Sequence, residues 1–360
     1  MHRERLDRVR SRMAALDVDV LLLSVGADLP WLTGYEAMPL ERLTMLVVPR
    51  DADATMVVAR LEAPRVEERP DVFALRAWEE TDDPVAIVAE LTGAARRVAI
   101  GDQTWARFLV ELQDRLPGVQ WHRGSEVTAP LRMVKDAAEV DALRAAARVV
   151  DDIAVAMRDR PFAGRTEAEV SRELVDRMLE GGHERANFAI VAAGADAASP
   201  HHEAGERMIR DGDVVLCDFG GTMHGYCSDI TRMYVVGEPA PEVRDTYAIL
   251  VDAQQRAVQA ATVGTPCADV DRVARDVIAD AGLGDRFIHR TGHGIGVDAH
   301  EEPYLVAGNR EPLRAGHAFS IEPGIYLPGR FGLRLEDIVV ATDDGPERLN
   351  RAPRELAVVG

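Results

Sequence analysis

Hydrophobic residues recur along the first third of the chain in two alternating patterns, which are short apolar runs and longer stretches of helical period. The short runs predict strands at residues 18–25, 46–48, 56–59 and 98–100. Helical periodicity is found at residues 83–92 and 104–116, and a charged amphipathic stretch precedes the first strand-like run. Alternation of this kind favours an α/β sandwich, in which helices cover a sheet.

The remaining two thirds of the chain begin with long amphipathic patterns that carry helix-start signals. Asp136 with Glu139, and Thr166 with Glu169, each have the spacing of a capping box. The second of these helices is expected to end at Gly181 and Gly182. Further helical patterns occupy residues 242–262 and 268–281, and strand-like apolar runs occupy residues 214–217, 230–236 and 333–340.

The change of pattern divides the chain near residue 128. All four tryptophans precede that point, whereas most of the ten histidines follow it. We therefore expect two domains, residues 1–127 and residues 128–360. A length of 360 residues is comfortable for two domains, and a hydrophobic content of 47% supplies material for both cores.

Four carboxylates and one imidazole lie in or beside the strand-like and glycine-rich stretches of the second part. They are Asp218, Asp229, His293, Glu322 and Glu336. A charge in an apolar strand is costly unless it has a partner, and a cation is a suitable one. This oxygen-rich ligand set favours Mn, Fe, Co or Zn over a sulfur-bound structural zinc. Because carboxylates can bridge, five side chains suffice for two divalent ions.

Composition argues against several other classes of protein. The formal net charge of −19 disfavours nucleic acid, because phosphate binding requires clustered Lys and Arg. No stretch approaches the roughly 18 apolar residues that a membrane span needs, and the N-terminus has no secretory apolar segment. Cys217, Cys227 and Cys267 lack metal-like spacing and suit a reducing compartment. We therefore expect a cytoplasmic enzyme with no nucleic-acid partner and no membrane segment.

Five motifs carry a family resemblance, namely LCDFGG, YCSDITRMY, RTGHGIG, SIEPGIY and GLRLEDIVV. They resemble the pita-bread metallopeptidases, the family that contains methionyl aminopeptidase, aminopeptidase P and prolidase. The resemblance is strongest over residues 132–340, and PWLTGYEA at residues 30–37 resembles the N-terminal domain of prolidase and creatinase. It implies an α/β (α+β) protein with a creatinase/prolidase-like N-terminal domain followed by a pita-bread catalytic domain.

The resemblance also implies roles for the five candidate ligands. Asp218 would chelate one metal ion, and Asp229 would bridge both ions. His293 and Glu322 would hold the second ion, and Glu336 would complete the bridge. The expected cofactors are two divalent ions per chain, with Mn²⁺ first and Co²⁺, Zn²⁺ or Fe²⁺ as alternatives, because this ligand set accepts several metals.

Four side chains are expected to act in catalysis by the same resemblance. His201 in SPHHEAGER and His300 in VDAHEEP match positions that contact the substrate or the tetrahedral intermediate in relatives. Glu322 would move a proton from water to the leaving nitrogen. Arg334 lies two residues before the last candidate ligand, which places both on one face of a strand. Its alternative role is a structural ion pair with an aspartate such as Asp337.

The other histidines of the second part are expected to have structural or solvent-exposed positions. His202 adjoins His201 and would point elsewhere on an extended segment. His289 is expected to be packed or hydrogen-bonded in the core. His224 and His317 lie beside turn glycines and are expected to be solvated.

These observations favour a metal-dependent exopeptidase that hydrolyses Xaa-Pro bonds, and specifically an Xaa-Pro dipeptidase with a hydroxide held between two metal ions. The chain is short for an aminopeptidase P and carries an N-terminal domain that methionyl aminopeptidases lack. An Xaa-Pro aminopeptidase that acts on longer peptides is the first alternative. A non-peptidase member of the fold, either a binding module or a lyase, is the second, while creatinase-like hydrolysis is disfavoured because creatinase lacks the ligands retained here.

Two partners are expected. The first is a small peptide substrate of the Xaa-Pro type. The second is another copy of the chain, since relatives are commonly dimers built through the N-terminal domain. Exposed tryptophans in that domain would suit such an interface.

Overall fold

The structure, a computed structural model, describes all 360 residues, Met1–Gly360. The chain separates into two compact units, Met1–Arg132 and Met133–Gly360. The division expected near residue 128 falls inside the last helix of the first unit, Ser125–Arg132. None of the helices is long and apolar enough to cross a membrane.

The first unit is a mixed six-stranded sheet with five α-helices. Its strands are β1 (Val20–Leu23), β2 (Met45–Pro49), β3 (Ala54–Ala59), β4 (Phe73–Trp78), β5 (Arg97–Ile100) and β6 (Gln120–Arg123). Its helices are α1 (His2–Ala15), α2 (Asp28–Thr33), α3 (Pro84–Thr92), α4 (Ala106–Arg115) and α5 (Ser125–Arg132). The strand order is β4-β3-β2-β1-β5-β6. The β1–β2 and β2–β3 pairs are antiparallel, and the other three pairs are parallel.

The sequence pattern located the central strands of this sheet and missed its edges. Strands β1, β2, β3 and β5 coincide with the predicted apolar runs, and α3 and α4 coincide with the predicted helices. Strands β4 and β6 lie at the two edges, where most of their side chains are only half-buried or exposed. Edge strands with one wet face carry no continuous apolar run, so the pattern had no signal for them.

The tryptophans of this unit do not form the exposed surface that was expected. Trp31 and Trp78 are buried, and the indole N–H of Trp78 donates to the carbonyl of Leu43. Trp105 is exposed, at 38%. Trp121 is half-buried. Trp105 is therefore the one exposed tryptophan that could contribute to an interface, while Trp31 and Trp78 pack into the core because large aromatic rings gain most from burial.

The second unit contains four α-helices and twelve strands. The helices are α6 (Ala137–Ala156), α7 (Glu167–Glu180), α8 (Pro241–Ala260) and α9 (Cys267–Asp280). The strands are β7 (Arg185–Ala193), β8 (Val214–Met223), β9 (Tyr226–Cys227), β10 (Ile230–Val236), β11 (Gly292–Gly294), β12 (Glu301–Leu305), β13 (Ala318–Ile321), β14 (Gly324–Leu327), β15 (Phe331–Arg334), β16 (Asp337–Thr342), β17 (Gly345–Arg348) and β18 (Ala357–Val359). One sheet has the order β18-β10-β8-β7, with β9 beside β8, and another has the order β12-β11-β13-β16-β17. Strands β14 and β15 pair as a separate hairpin.

Nearly all residues of strand β8 are buried, on both faces of the strand. Val215 and Cys217 pack into one core with α6 and α7, whereas Val214 and Leu216 pack into the other with α8 and α9. Side chains alternate along a strand, so Asp218 belongs to the face of Val214 and Leu216. Asp218 therefore lies in the middle of a strand whose neighbouring residues are buried on both faces.

Both predicted capping boxes are present in this unit. The Asp136 carboxylate accepts from the backbone N–H of Glu139, and the Glu139 carboxylate accepts from that of Asp136. Thr166 and Glu169 make the same reciprocal pair at the start of α7, and the helix ends at Gly181. These local signals depend on a few neighbouring residues, which is why the sequence alone locates them.

The strand predicted over residues 333–340 is two strands. Strand β15 ends at Arg334 in the β14–β15 hairpin, and β16 begins at Asp337 in the five-stranded sheet. Glu336 lies between them and forms an isolated bridge with Thr231 of β10. The change of sheet accounts for the break, and an apolar run cannot reveal it because both segments are buried.

Candidate active site

Two aspartates meet where β8 and β10 pair. Asp218 of β8 lies opposite Thr231 of β10 in the antiparallel register, and Asp229 immediately precedes β10. Asp229, Thr231 and Met233 alternate onto one face, and Met233 belongs to the same core as Leu216. The register and the pleat therefore bring both carboxylates to one side of this sheet. Both are buried.

A histidine and a glutamate reach the same place from the other sheet. His293 is the middle residue of β11, and Glu322 directly follows β13, which pairs with β11. The two strands approach so closely that a Cβ on Gly292 would lie 1.8 Å from the Ser320 carbonyl oxygen. The Ser320 hydroxyl accepts from the His293 backbone N–H and donates to Glu322 Oε1, at 3.0 and 3.1 Å. Gly292 and Ser320 thus fix His293 against Glu322.

Glu336 completes the cluster through its contact with β10. Its Oε2 accepts a 2.7 Å hydrogen bond from the Thr231 hydroxyl, and its backbone N–H donates to the Thr231 carbonyl. The donor atoms of Asp218, Asp229 and Glu336 all lie within 4.8 Å of one another, as do those of His293, Glu322 and Glu336. The structure therefore brings together all five side chains that the sequence analysis selected as candidate ligands.

The five side chains leave donor atoms without partners among themselves, and these atoms suit bound cations. One oxygen each of Asp218, Asp229 and Glu336 is buried without a hydrogen-bond partner. His293 Nδ1 lies 3.1 Å from the Gly294 carbonyl, so a metal-bound His293 would carry its N–H on that nitrogen and offer the Nε2 lone pair to a cation. Nε2 lies 3.2 Å from Glu322 Oε1 and 3.8 Å from Asp229 Oδ2. Lone pairs and anionic oxygens at such distances require a positive charge among them.

The pKa values of the cluster also show that its negative charges are unfavourable without a cation. Burial, followed by the nearby charges of Glu336 and Asp218, raises the pKa of Asp229 well above its usual range. Burial and the charge of Glu322 do the same to the pKa of Glu336. Burial also raises the pKa of Asp218, although an arginine partly offsets it. In the metal-free cluster the hydrogen bond and charge of a protonated His293 outweigh burial and lower the pKa of Glu322 to about 2.

The cluster forms the floor of a cavity of about 300 Å³. Its lining comprises Phe188, Ile190, Pro200, His201, Asp218, Asp229, His289, Arg290, His293, His300, Glu322, Arg334 and Glu336. His201 and His300 both reach this space, and the ring centroids of His300 and His293 are 4.0 Å apart. Desolvation and the neighbouring His293 lower the pKa of His300 to about 4, which keeps its imidazole neutral near pH 7.

Arg334 is a buried member of the site rather than a surface residue. Its guanidinium donates to Asp218 Oδ2, to the Tyr326 hydroxyl at 2.9 Å and to the Thr231 hydroxyl at 3.2 Å. The alternative partner, Asp337, is paired with Arg232 of β10 instead. The alternative of an ion pair between Arg334 and Asp337 is therefore not found: Arg334 ends β15 in the hairpin, and Asp337 begins β16 in the five-stranded sheet.

The remaining histidines have the following positions. His202 does not line the cavity, and its Nε2 lies 2.7 Å from Glu167 Oε2. His289 is hydrogen-bonded as expected, to the Tyr326 hydroxyl at 2.9 Å, and it also lines the cavity. His224 is exposed in the turn before β9. The expectation that His317 is solvated is wrong. His317 is fully buried, and its backbone forms an isolated β-bridge with Val134.

Four residues that lie in or next to the site were not predicted from the sequence. Thr231 and Tyr326 hold Arg334 and Glu336, and each lies within four residues of a selected ligand, so the motifs YCSDITRMY and SIEPGIY contained a usable signal. Glu167 holds His202 from a distant helix, and Arg290 enters the cavity from the residue after His289. Neither of these had a sequence signal, because each depends on a contact between segments far apart in the chain or on the direction of one side chain.

Two family models match the chain, one in each part. The family model described as metallopeptidase family M24 matches residues 141–343, and the model described as creatinase/prolidase N-terminal domain matches residues 5–134. These two matches together span nearly the whole chain.

Individual relatives are similar over their full lengths. The chain is 44% identical over 344 residues to the "Probable dipeptidase PepE" of Mycobacterium tuberculosis, covering 94% of this chain and 92% of the relative. The crystal structure of dipeptidase PepE from Mycobacterium ulcerans superposes with a TM-score of 0.91 at 43% identity, over 99% of this chain and 98% of that one. Recombinant prolidase from Thermococcus sibiricus superposes with a TM-score of 0.94 at 36% identity, with the same coverage.

Proposed function

The chain belongs to metallopeptidase family M24 and is a metal-dependent hydrolase, and on that premise we propose that it is a dipeptidase that cleaves Xaa-Pro bonds with two divalent ions. The observation that carries the proposal is the set of five clustered donors with unpartnered buried carboxylate oxygens. Binding modules on this fold have no need for such a cluster, and an uncompensated one lowers the stability of the folded chain.

We assign the five donors to two ions. Asp218, Asp229 and Glu336 form one group of donors, and His293, Glu322 and Glu336 form the other. Glu336 belongs to both groups, and Asp229 Oδ2 lies 3.8 Å from His293 Nε2, so Asp229 and Glu336 would be the bridging carboxylates. When bound, the ions lower the pKa of a water molecule towards neutrality and polarise the scissile carbonyl. Mn²⁺ is the metal that we propose first, since oxygen donors predominate in the set.

The side chains around the cluster have complementary tasks. Glu322 lies at the cavity among the metal-binding side chains, and we assign to it the transfer of a proton from water to the leaving nitrogen. His300 is neutral and lies at the cavity beside His293, where its N–H can stabilise the developing oxyanion. His201 is assigned to the substrate in the same cavity. Arg334 holds Asp218 in place.

Proline specificity is supported by the shape of the cavity wall. Phe188, Ile190 and Pro200 line it beside the charged floor and offer an apolar surface to a pyrrolidine ring. An Xaa-Pro bond has no N–H, so an enzyme that binds its substrate as an added strand gains little from it. A compact cavity with apolar walls is a suitable alternative.

Two wider proposals accompany this one. We propose that the protein is a homodimer associated through its first unit, where Met38, Leu40, Leu61 and Trp105 are exposed. Light scattering at micromolar concentration should then give twice the mass of one chain, and the mass of a single chain would contradict it. The cytoplasmic location expected from the three cysteines stays a prediction.

A substrate panel tests the proposed function. Metal-loaded protein should release proline from Ala-Pro, leave Ala-Ala uncut and act more slowly on Ala-Pro-Ala. Faster cleavage of Ala-Pro-Ala would make the enzyme an Xaa-Pro aminopeptidase. Failure to cleave any Xaa-Pro substrate, with two ions bound, would refute the proposal and favour a binding module or a lyase.

A further inference from the structure

The cavity contains two arginines in very different states. Arg334 is 3% exposed, and its guanidinium is fully engaged by Asp218, Tyr326, Thr231 and the Pro200 carbonyl. Arg290 lines the same cavity but forms neither an ion pair nor a side-chain hydrogen bond. Its guanidinium carbon lies 4.2 Å from the ring centroid of Tyr304. The cavity therefore holds one guanidinium whose donors are free for a ligand.

The backbone on both sides of Arg290 is fixed. Arg275 donates to the His289 carbonyl at 2.7 Å, and His289 Nδ1 lies 2.8 Å from the Arg290 carbonyl. The Thr291 backbone N–H donates to Asp271 Oδ1 at 3.0 Å. The ring under the guanidinium is fixed as well, since Tyr304 belongs to β12 and its carbonyl accepts from Asn309. Arg290 is thus presented by a rigid frame, which reduces the entropy lost when it binds a ligand.

We propose that Arg290 binds the C-terminal carboxylate of an Xaa-Pro dipeptide and so determines that the enzyme prefers dipeptides, an inference that rests on the function proposed above. A dipeptide brings a carboxylate one residue beyond the scissile bond. The four carboxylates of the site already neutralise the two proposed ions, so a substrate carboxylate in this partly desolvated cavity needs a further cation to receive it. A guanidinium matches a carboxylate with two parallel hydrogen bonds. The contact of the Arg290 guanidinium with the Tyr304 ring forms no hydrogen bond, so it uses none of the guanidinium N–H donors.

The same residue disfavours longer peptides. In Xaa-Pro-Yaa an amide replaces the carboxylate at this position, so Arg290 would stay unpaired in a partly desolvated cavity. A site built to pair a polar group discriminates strongly against a substrate that lacks it. Arg290 therefore separates a dipeptidase from an aminopeptidase that shares the same five metal-binding side chains.

The experiment compares Ala-Pro with Ala-Pro amide, which differ only in the charged terminus. Wild-type enzyme should favour the free acid in kcat/KM by ten- to a hundredfold, the range of a charge-assisted hydrogen-bonded pair. In Arg290→Gln this preference should fall at least tenfold, mainly through a higher KM for the acid. Arg290→Lys keeps the charge without the fork and should retain an intermediate preference. Arg286→Gln, an exposed arginine outside the cavity, is the matched control and should keep the wild-type preference.

Two results would overturn the inference, provided that metal content and melting temperature match those of wild type. One is an equal loss on acid and amide in Arg290→Gln, which would assign Arg290 a structural role on Tyr304. The other is equal cleavage of both substrates by wild-type enzyme. That result would support the Xaa-Pro activity and refute the proposed contact between Arg290 and the substrate carboxylate. Wild-type enzyme that cleaves neither would instead refute the proposed function itself.

Discussion

At the scale of single residues, the site is defined by carboxylates that are expensive to bury. Asp229 is 3% exposed, has one unpartnered oxygen and lies among other carboxylates. Such an arrangement persists in a folded protein when a bound cation offsets the free energy needed to bury the charges. Without the cation, a functional site of this kind lowers the stability of the fold. The loss of stability that these carboxylates cause in the metal-free protein is therefore a measurable sign of metal binding.

Asp229→Asn should show this cost directly. The raised pKa means that folded Asp229 holds a proton which the unfolded chain releases above about pH 4, so this group lowers the stability of the metal-free protein as pH rises. Asparagine cannot ionise. We expect the EDTA-treated variant to melt a few degrees above wild type at pH 8, with a difference that shrinks towards pH 4. Metal analysis should find fewer than two ions per chain.

The control for that measurement is Asp53→Asn, which removes an exposed aspartate far along the chain from the cluster. It should leave both melting temperature and metal content unchanged. Retention of two ions by Asp229→Asn, or a lower melting temperature of its apoprotein at pH 8, would contradict the bridging assignment.

Arg334→Lys should reduce both activity and stability. Lysine keeps the charge but cannot reach Asp218, Tyr326 and Thr231 together, so Asp218 loses its partner. We expect kcat/KM on Ala-Pro to fall at least tenfold, which corresponds to about 1.4 kcal/mol, and the melting temperature to fall by more than a few degrees. Tyr326→Phe, which removes one acceptor only, should lose less of each. Wild-type kinetics in Arg334→Lys would show that Arg334 serves the fold alone.

At the scale of elements, strands and loops deliver the side chains to the site with different reliability. Strands β8, β10, β11 and β13 are held on both sides by neighbouring strands or cores, which fixes Asp218, Asp229 and His293. His201 lies on a loop, after the 3₁₀ turn Gly194–Ala198. The position of this loop depends on Glu167, the first residue of α7, which is fully buried.

Glu167 ties the His201 loop to the scaffold at three points. Its carboxylate accepts from the Ala193 backbone N–H at 2.7 Å, from His202 Nε2 at 2.7 Å and from the Gly205 backbone N–H at 3.3 Å. Glu167→Gln keeps the shape but removes acceptor capacity. We expect kcat on Ala-Pro to fall about tenfold with bound metal unchanged. Because the effect acts through His201, adding Glu167→Gln to His201→Ala should cause little further loss.

The matched control on the same helix is Glu169→Gln. Glutamine can replace glutamate in a capping box, so this exposed substitution should leave kcat unchanged. Fully additive losses in the double variant would assign Glu167 to stability alone.

The sequence predicted those parts of the structure that depend on local signals. Capping boxes at Asp136 and Thr166, and buried strands such as β8, were legible because a few adjacent residues specify each. The break between β15 and β16, and the burial of His317, depend on which distant segment each residue packs against. The five donors were recognisable through their motifs, whereas the free state of Arg290 is a property of the folded cavity alone.

At the scale of the whole molecule, the chain concentrates its chemistry in one unit. All five candidate ligands, both catalytic histidine candidates and both cavity arginines belong to Met133–Gly360. The first unit is a separate six-stranded sheet with its own core. Metal binding should therefore act on the stability of the second unit.

Metal removal should lower the melting temperature of the holoprotein. A ligand present at a hundred times its Kd stabilises the state that binds it by about 2.7 kcal/mol, and two ions contribute separately. We expect calorimetry to show a loss of several degrees after treatment with EDTA, reversed by added Mn²⁺. Arg286→Gln should show the same shift as wild type. A melting temperature independent of metal would contradict the proposal that the buried carboxylates are neutralised by ions.

The most direct measurement is a titration of metal-free protein with Mn²⁺, followed by the release of proline from Ala-Pro. We expect no proline release in EDTA and a rate that rises until about two ions per chain are bound, because both groups of donors take part. Ala-Ala should remain uncut throughout. Proline release that is independent of metal, or that reaches its plateau with one ion bound per chain, would contradict the two-metal site.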